Sequence, residues 1–305
     1  MNGPVGVIGL GLIGSALTRR LLAANLNVVG HDPDAGKRRE LATAGMIPAD
    51  NAAELWARCA RILIAVFDTA QVEAVLAEAP SHGDYTVLIC STCDPKRIAE
   101  LGPVAAAKNI AVLEAPISGT SRQVASGDGV LLLGGDEEVA DRQDDIFRAV
   151  AKRTYRMGVL GNGNRAKLAI NLILGLNRAA LAEGLVLAET LGLSPAALLD
   201  AARGSAAHSQ VMDIKGDPMV RGDFTPVGRV AQSAKDFRLI VGAAHVAGQS
   251  LPFGSTYLEL MEECIALGEG DLDNSAIIRA IRRCAHLRRD ATALRRPKKA
   301  GPDQC

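Results

Sequence analysis

The chain has 305 residues, of which 48% are hydrophobic, 22% charged and only 3% aromatic. Its formal net charge is zero, so no global electrostatic case exists for binding nucleic acid or an anionic membrane, and the scarcity of aromatics leaves few platforms for stacking bases. The length suffices for two domains with sizeable cores, built here from Ala, Leu, Val and Ile.

Val5 to Gly9 reads as a short apolar strand. Gly9-Leu10-Gly11-Leu12-Ile13-Gly14 follows, then a helix to about Ala24 and a second strand, Asn27 to His31, ending at Asp32. This is a βαβ unit. In that setting Gly9-x-Gly11-x-x-Gly14 is a dinucleotide fingerprint. The first glycine permits the tight turn, the second lets backbone approach a pyrophosphate, and the third lets helix and strand pack closely. Leu10, Leu12 and Ile13 fall within the same loop and helix start, whose amides face the phosphate charge. Asp32 stands eighteen residues after Gly14. A carboxylate there accepts hydrogen bonds from the adenosine ribose hydroxyls and repels a 2′-phosphate, so NAD is expected in preference to NADP. Lys37, Arg38 and Arg39 could soften that preference and are read as a solvated helix face.

Strand-like runs recur at Ile62 to Val66, Val87 to Ile89, Ala111 to Glu114 and Gly129 to Leu133, with helical segments such as Lys37 to Ala44 and Ala70 to Ala77 between them. The alternation predicts an α/β fold, an N-terminal Rossmann-type, doubly wound and mostly parallel sheet covered on both faces. From Asn164 to about Leu191 the pattern is helical for more than seven turns. Ser194 is a candidate N-cap before Pro195, and the remainder offers helices and almost no strands. The expected division is a dinucleotide-binding domain over 1–162, an all-α domain over 163–289 joined by the long helix, and a basic, Pro- and Gly-containing disordered tail over 290–305.

The start of that long helix carries the most chemistry. Gly161 and Gly163 mark a loop, and Lys167 and Asn171 then share one helix face. A buried ammonium loses hydration, its pKa falls, and it becomes usable for proton transfer near neutral pH. The other reading of Lys167 is an exposed lysine whose stem covers apolar surface. Six cysteines, at 59, 90, 93, 264, 284 and 305, are read as free thiols of a cytoplasmic protein. Cys90 and Cys93 have C-x-x-C spacing without the further ligands a zinc site needs, so no metal is expected. Only Met1 to Pro4 precede the first strand, so no secretory signal is expected, and no apolar stretch is read as a membrane span.

Three further runs occur in order: Ser91-Thr92-Cys93-Asp94-Pro95, Glu114-Ala115-Pro116-Ile117-Ser118-Gly119, and Lys235-Asp236 in the helical half. With the Gly9 fingerprint, the Gly161 to Asn171 run and Gly268-x-Gly270-Asp271-x-Asp273, the chain from Val5 to about Ile278 resembles the β-hydroxyacid dehydrogenase family, which includes 3-hydroxyisobutyrate dehydrogenases and tartronate semialdehyde reductases. The resemblance implies hydride exchange between NAD and a small 3-hydroxyacid or its semialdehyde. It implies Lys167 as general acid/base and Asn171 as its support and substrate orienter. Ser118, Gly119 and Thr120 would hold the substrate. Thr92 and Lys235 would contact the nicotinamide side, with Asp236 anchoring the Lys235 helix, and the loop at Val66 and Phe67 would lie near the adenosine half. It also implies a homodimer or homotetramer.

The chain departs from the family in three places. Gly119-Thr120 stands where Gly-Gly is usual, adding a side chain beside the substrate. Arg122 follows; facing inward it could clamp a second carboxylate, a sulfonate or a phosphonate, and facing outward it does nothing specific. Val66-Phe67-Asp68 replaces a proline-containing run, so that loop is expected to differ in shape. His31 is read as structural and His208 as a loop histidine. Threonate, tartronate semialdehyde and sulfolactaldehyde-type substrates stand as alternatives within the family. Imine reduction and a non-catalytic dinucleotide-binding interaction module stand as alternatives beyond it, both opposed by the retained lysine.

Overall fold

A computed structural model describes residues 3–81 and 83–284. The chain begins with β1 (Val5–Ile8), α1 (Leu12–Ala23), β2 (Val28–His31), α2 (Ala35–Ala42), β3 (Ile47–Pro48), α3 (Ala52–Arg58), β4 (Arg61–Ile64) and α4 (Thr69–Ala77). There follow β5 (Tyr85–Ile89), α5 (Pro95–Ala106), β6 (Ile110–Glu114), β7 (Ile117–Ser118), α6 (Ser121–Ala125), β8 (Val130–Leu133), α7 (Glu137–Asp141), α8 (Asp144–Val150) and β9 (Arg153–Arg156). Helices α9 (Asn162–Thr190), α10 (Pro195–Arg203), α11 (Gln210–Arg221), α12 (Val230–Val246) and α13 (Pro252–Ala266) complete the series, before a short 3-10 turn at Asn274–Ala276.

Six strands form one wholly parallel sheet in the order β3-β2-β1-β4-β5-β6. The order reverses direction beside β1, which places the ligand crevice of a doubly wound sheet outside the carboxyl ends of β1 and β4. Side chains alternate between the two faces with period two. Val7, Leu63, Leu88 and Leu113 are mutual register neighbours and bury one row beneath α1 and α8. Ile62, Ile64, Val87 and Ile89 bury the opposite face with Leu55, Trp56 and Ile98. Fully apolar strands of this kind are what burial on both faces requires.

The register also explains one buried charge. Ile8, Ile64, Ile89 and Glu114 are successive partners at the carboxyl end of the sheet, so Glu114 stands in a row otherwise made of isoleucine. A bridge from Glu114 to Gly134 leads into a second sheet, β7-β8-β9, in which β7 is antiparallel and β9 parallel to β8.

By compactness the chain divides into Met1–Ile173 with Gln232–Gly254, and Leu174–Ala231 with Ser255–Cys305. The first unit holds the sheets, the first three turns of α9 and most of α12. The second is helical among the described residues. Within it Ser194 caps α10 as its sequence predicts, accepting from Ala197 N at 3.4 Å. Lys215 and Asp273 form a buried ion pair at 2.7 Å. The expected tail over 290–305 lies outside the described residues. One sequence expectation needs correction: α9 is long and apolar enough to cross a bilayer by length and composition, with a third of its apolar window buried. Its internal glycines do not interrupt the helix, because a single glycine costs about 1 kcal/mol there and packing overrides that. A core helix passes the same test, and this one carries a buried ammonium that hydrocarbon would penalise.

Candidate active site

The loop from β1 to α1 has the shape a dinucleotide needs. Gly9 adopts φ +90°, and a Cβ there would meet Ala65 O at 2.5 Å. At Gly14 a Cβ would lie 1.8 Å from Gly9 O, so only glycine lets α1 pack this close to β1. Gly11 is different: a Cβ there meets nothing within 4 Å. Its lack of a side chain is not a packing requirement of the protein itself, which fits a backbone surface left open for pyrophosphate. Gly11 is the α1 N-cap and makes no side-chain cap. The amides of Leu12, Ile13 and Gly14 therefore have no acceptor within the helix and present positive charge. Leu10 is buried and Leu12 exposed.

Asp32 immediately follows β2 and is turned back toward this loop. Its Oδ2 accepts from Leu10 N at 2.8 Å and its Oδ1 from Asp34 N at 2.9 Å. Burial alone would raise its carboxyl, yet these amides and the Lys37 ammonium at 3.3 Å hold it below the ordinary aspartate value. Arg38 donates to the Asp32 carbonyl oxygen at 2.6 Å. Lys37 and Arg38, read from sequence as a solvated face, thus both engage Asp32. Of the other expected cofactor residues, Val66, Phe67 and Thr92 follow two neighbouring strands, β4 and β5, and Lys235 lies on α12. Ser91 Oγ donates to Val66 O at 2.8 Å and ties the loop after β5 to that after β4. Phe67 N donates to Gln71 Oε1 at 2.8 Å, and Asp68 caps α4 by accepting from Gln71 N. Two side chains, Gln71 and Asp68, thus shape this turn.

Lys167 is 7% exposed. The interior reading of the sequence, with Lys167 and Asn171 on one face, is therefore the structural one. Its ammonium makes no hydrogen bond or ion pair among the described residues. Burial pushes its pKa down from 10.5 to about 8; Asp236 opposes that shift and Lys235 adds to it. Asn171 Nδ2 donates to Asp236 Oδ2 at 2.8 Å, and Lys235 Nζ pairs with Asp236 Oδ1 at 2.7 Å. Lys235 Nζ also donates to the Thr92 carbonyl oxygen at 2.6 Å and lies 5.9 Å from the centroid of the Phe67 ring, a cation–π contact. Thr92, Asn171, Lys235 and Asp236, spread over 145 residues of sequence, therefore form one connected group, and Lys167 stands one helical turn before Asn171 under that group's electrostatic influence.

Ser118, Gly119 and Thr120 join β7 to α6, and none of them hydrogen-bonds to the Lys167 group among the described residues. Gly119 has φ +144°, a conformation that favours glycine. The Thr120 hydroxyl, expected beside substrate, is occupied in a capping box: it accepts from Gln123 N at 3.3 Å, while Thr120 N donates to Gln123 Oε1 at 2.9 Å. Arg122 is exposed, and its guanidinium makes no ion pair among the described residues. Val124, two residues on, is the buried position of α6, which turns Arg122 outward. Of the two alternatives for Arg122, the outward one fits this placement. His31 Nδ1 contacts the Ala49 carbonyl at 3.0 Å, and exposed His208 contacts Asp213 at 2.9 Å. Among the described residues the cysteines are free and no three metal-ligating side chains gather.

Sequence reasoning missed Gln123, Glu114 and Asn164. The first was visible as the fourth position of a T-x-x-Q capping box. Asn164 was visible only as a polar residue three before Lys167 on the same face. Nothing local marks Glu114 as buried.

Comparison with known proteins agrees with this geometry. The profile described as the NAD binding domain of 6-phosphogluconate dehydrogenase matches residues 4–159. That described as NAD-binding of NADP-dependent 3-hydroxyisobutyrate dehydrogenase matches 161–281. The chain is 31% identical over 285 residues to an L-threonate dehydrogenase of Cupriavidus necator, covering 92% of this chain and 96% of that one. It is 30% identical over 291 residues to the 2-hydroxy-3-oxopropionate reductase of Escherichia coli K12, covering 91% and 96%. A crystal structure of a 3-hydroxyisobutyrate dehydrogenase from Salmonella typhimurium superposes with a TM-score of 0.85 at 29% identity, covering 91% of this chain and 99% of that one. With its fingerprint loop, parallel sheet and long lysine-bearing helix, the chain belongs to the β-hydroxyacid dehydrogenase family of NAD(P)-dependent oxidoreductases.

Proposed function

We propose that this protein is an NAD-preferring dehydrogenase or reductase of small 3-hydroxyacids, 3-hydroxyisobutyrate-like in size, or of the matching semialdehydes, with Lys167 as general acid/base. The observation that carries the reading is the buried, unpartnered Lys167 amine, whose pKa of about 8 leaves both protonation states populated near neutrality.

A bound nicotinamide supplies the hydride chemistry. The residues of the chain do the rest. Gly9 to Gly14 would hold the pyrophosphate at the α1 N-terminus, and Asp32 would receive the ribose hydroxyls. Neutral Lys167 Nζ would take the proton of the alcohol during oxidation. In reduction its ammonium would return that proton to the developing alkoxide, a contribution of about 10²- to 10⁴-fold. Asn171, braced by Asp236, would orient the substrate hydroxyl, while Ser118 and the Gly119 backbone would bind its carboxylate. Thr92 and Lys235 would flank the nicotinamide side. The preference for NAD is supported by the Asp32 carboxylate, with Lys37 working against it. Exposed Leu187, Leu191 and Leu193 support a homodimer or homotetramer, and the buried free thiols support a cytoplasmic setting.

The test is a spectrophotometric screen with NAD and NADP over 3-hydroxyisobutyrate, glycerate, serine, L-threonate, 4-hydroxybutyrate and sulfonated analogues. NAD reduction by at least one 3-hydroxyacid is expected, with Lys167→Ala slower by about 100-fold or more and with cofactor affinity preserved. Equal turnover by Lys167→Ala and wild type would overturn the assignment.

A further inference from the structure

Glu114 is fully buried with no cationic partner among the described residues, an expensive arrangement unless its oxygens are satisfied. They are. Oε2 accepts from the amides of Gly161 and Gly163, and Oε1 accepts from Asn164 N at 3.1 Å and Asn164 Nδ2 at 2.6 Å. Burial holds this carboxyl above the ordinary glutamate value, against the four N–H donors that lower it. The fit is close on every side. A Cβ at Gly134 would lie 2.5 Å from Glu114 Oε2, and one at Gly163 would lie 2.6 Å from Leu132 O and 3.0 Å from Glu114 Cβ. The sheet end thereby fixes where α9 begins.

Asn164, fully buried, carries that fixation further. Its Oδ1 accepts from Cys93 N at 2.7 Å, next to the Thr92 carbonyl that receives Lys235. A closed circuit results: Asn164, Cys93 and Thr92, Lys235, Asp236, Asn171, and back along α9 to Asn164. Lys167 stands on the α9 stretch of that circuit, three residues after Asn164 and four before Asn171, on one helix face.

We infer that Asn164, seated by Glu114, is a positioning residue that holds the Lys167 amine in register with the Thr92–Lys235 side of the site. It touches no reacting atom, and it acts by pinning the first turn of α9 to the β5 loop, as Asp236 pins the third. The inference rests on Lys167 being the acid/base group.

The test is a double-mutant cycle of Asn164→Ala with Lys167→Ala in the full-length protein. Asn164→Ala alone is expected to lower kcat by about 30-fold, less than the 10²- to 10⁴-fold that complete loss of general acid/base help costs, while KM for the cofactor changes less than about threefold. In the Lys167→Ala background the same change is expected to cost under about threefold, because residues that act as a unit are not additive. In cofactor-free protein, the Nζ resonance of Lys167 is expected to titrate above the wild-type midpoint, and the Cys93 amide to exchange faster. Multiplicative losses, or an unmoved lysine titration, would overturn the inference. If Asn164→Ala does not fold, Asn164→Ser, which keeps an acceptor for Cys93 N, is read against the same criteria and should retain more activity than Lys167→Ala. A Lys167→Ala enzyme as active as wild type would instead remove the underlying reading, so the two failures are distinct.

Discussion

Asn171 Nδ2 donates to Asp236 Oδ2 at 2.8 Å and ties α9 to α12 across 65 residues of sequence. The same carboxylate pairs with Lys235 and raises the pKa of Lys167 against the effect of burial. One side chain therefore both braces Asn171 and opposes the effect of burial on the amine.

Asp236→Asn removes the negative charge and keeps most of the shape. With its counter-charge gone, Lys167 loses the only resolved influence that raises its pKa, so in the oxidative direction, which needs the neutral amine, the acidic limb of the kcat/KM profile should fall below about pH 8. Lys235→Gln should move the limb the other way, since Lys235 depresses Lys167. A pH–rate profile of the two variants checks both signs. Coincident profiles would break the electrostatic link.

Holding Lys167 inside the protein costs stability. Its pKa falls from 10.5 to about 8 on folding, so the folded state binds fewer protons and stability rises as pH climbs from about 8 to 10.5. At about 1.4 kcal/mol per unit, the penalty below pH 8 is on the order of 3 kcal/mol. Lys167→Met should therefore be more stable than wild type at pH 7, by about that amount at most, and inactive. Denaturant melts at pH 7 and pH 10 should show the advantage shrinking. An advantage independent of pH would point to packing instead.

Two glycines of the fingerprint should fail differently. Gly14→Ala drives a methyl into Gly9 O, and overpacking of that kind should cost about 2 kcal/mol or more and lower Tm. Gly11→Ala meets nothing, so Tm should hold while dinucleotide affinity falls about tenfold, equivalent to ~1.4 kcal/mol. Calorimetry of the two variants, free and with cofactor, separates a folding role from a binding one.

Cofactor choice should respond to Asp32 and Lys37 in opposite directions. Asp32→Ala should weaken NAD binding and relax the exclusion of NADP, because the group that repels a 2′-phosphate is gone. Lys37→Ala should sharpen the preference for NAD. The ratio of kcat/KM for the two cofactors measures both; an unchanged ratio in Asp32→Ala would mean that its carboxylate does not meet the ribose.

Much of this was legible in the linear chain. The apolar runs that became β1, β2, β4, β5, β6 and β8 announce themselves because a strand buried on both faces must be apolar throughout. Gly9, Gly11 and Gly14 were readable because their spacing is local. Strand β7, of two residues, and the five-residue helices are too short to display a period. β9 is exposed along its whole length and carries no hydrophobic signal.

The primary structure alone determined the βαβ start, the long helix and the shared face of Lys167 and Asn171, since each depends on residues within a few turns of one another. Only the folded chain decided that Asp236, Cys93 and Glu114 surround that face, that Lys37 reaches Asp32, and that the Thr120 hydroxyl is taken by Gln123. The first of these depends on strand order and helix packing, which bring together groups far apart in sequence, and the second on where a side chain five residues away is free to reach. The third turns on which acceptor a hydroxyl reaches first. Burial, which moves the Lys167 amine to about 8, belongs to the same class, because water is excluded by the whole assembly and not by any neighbour in sequence.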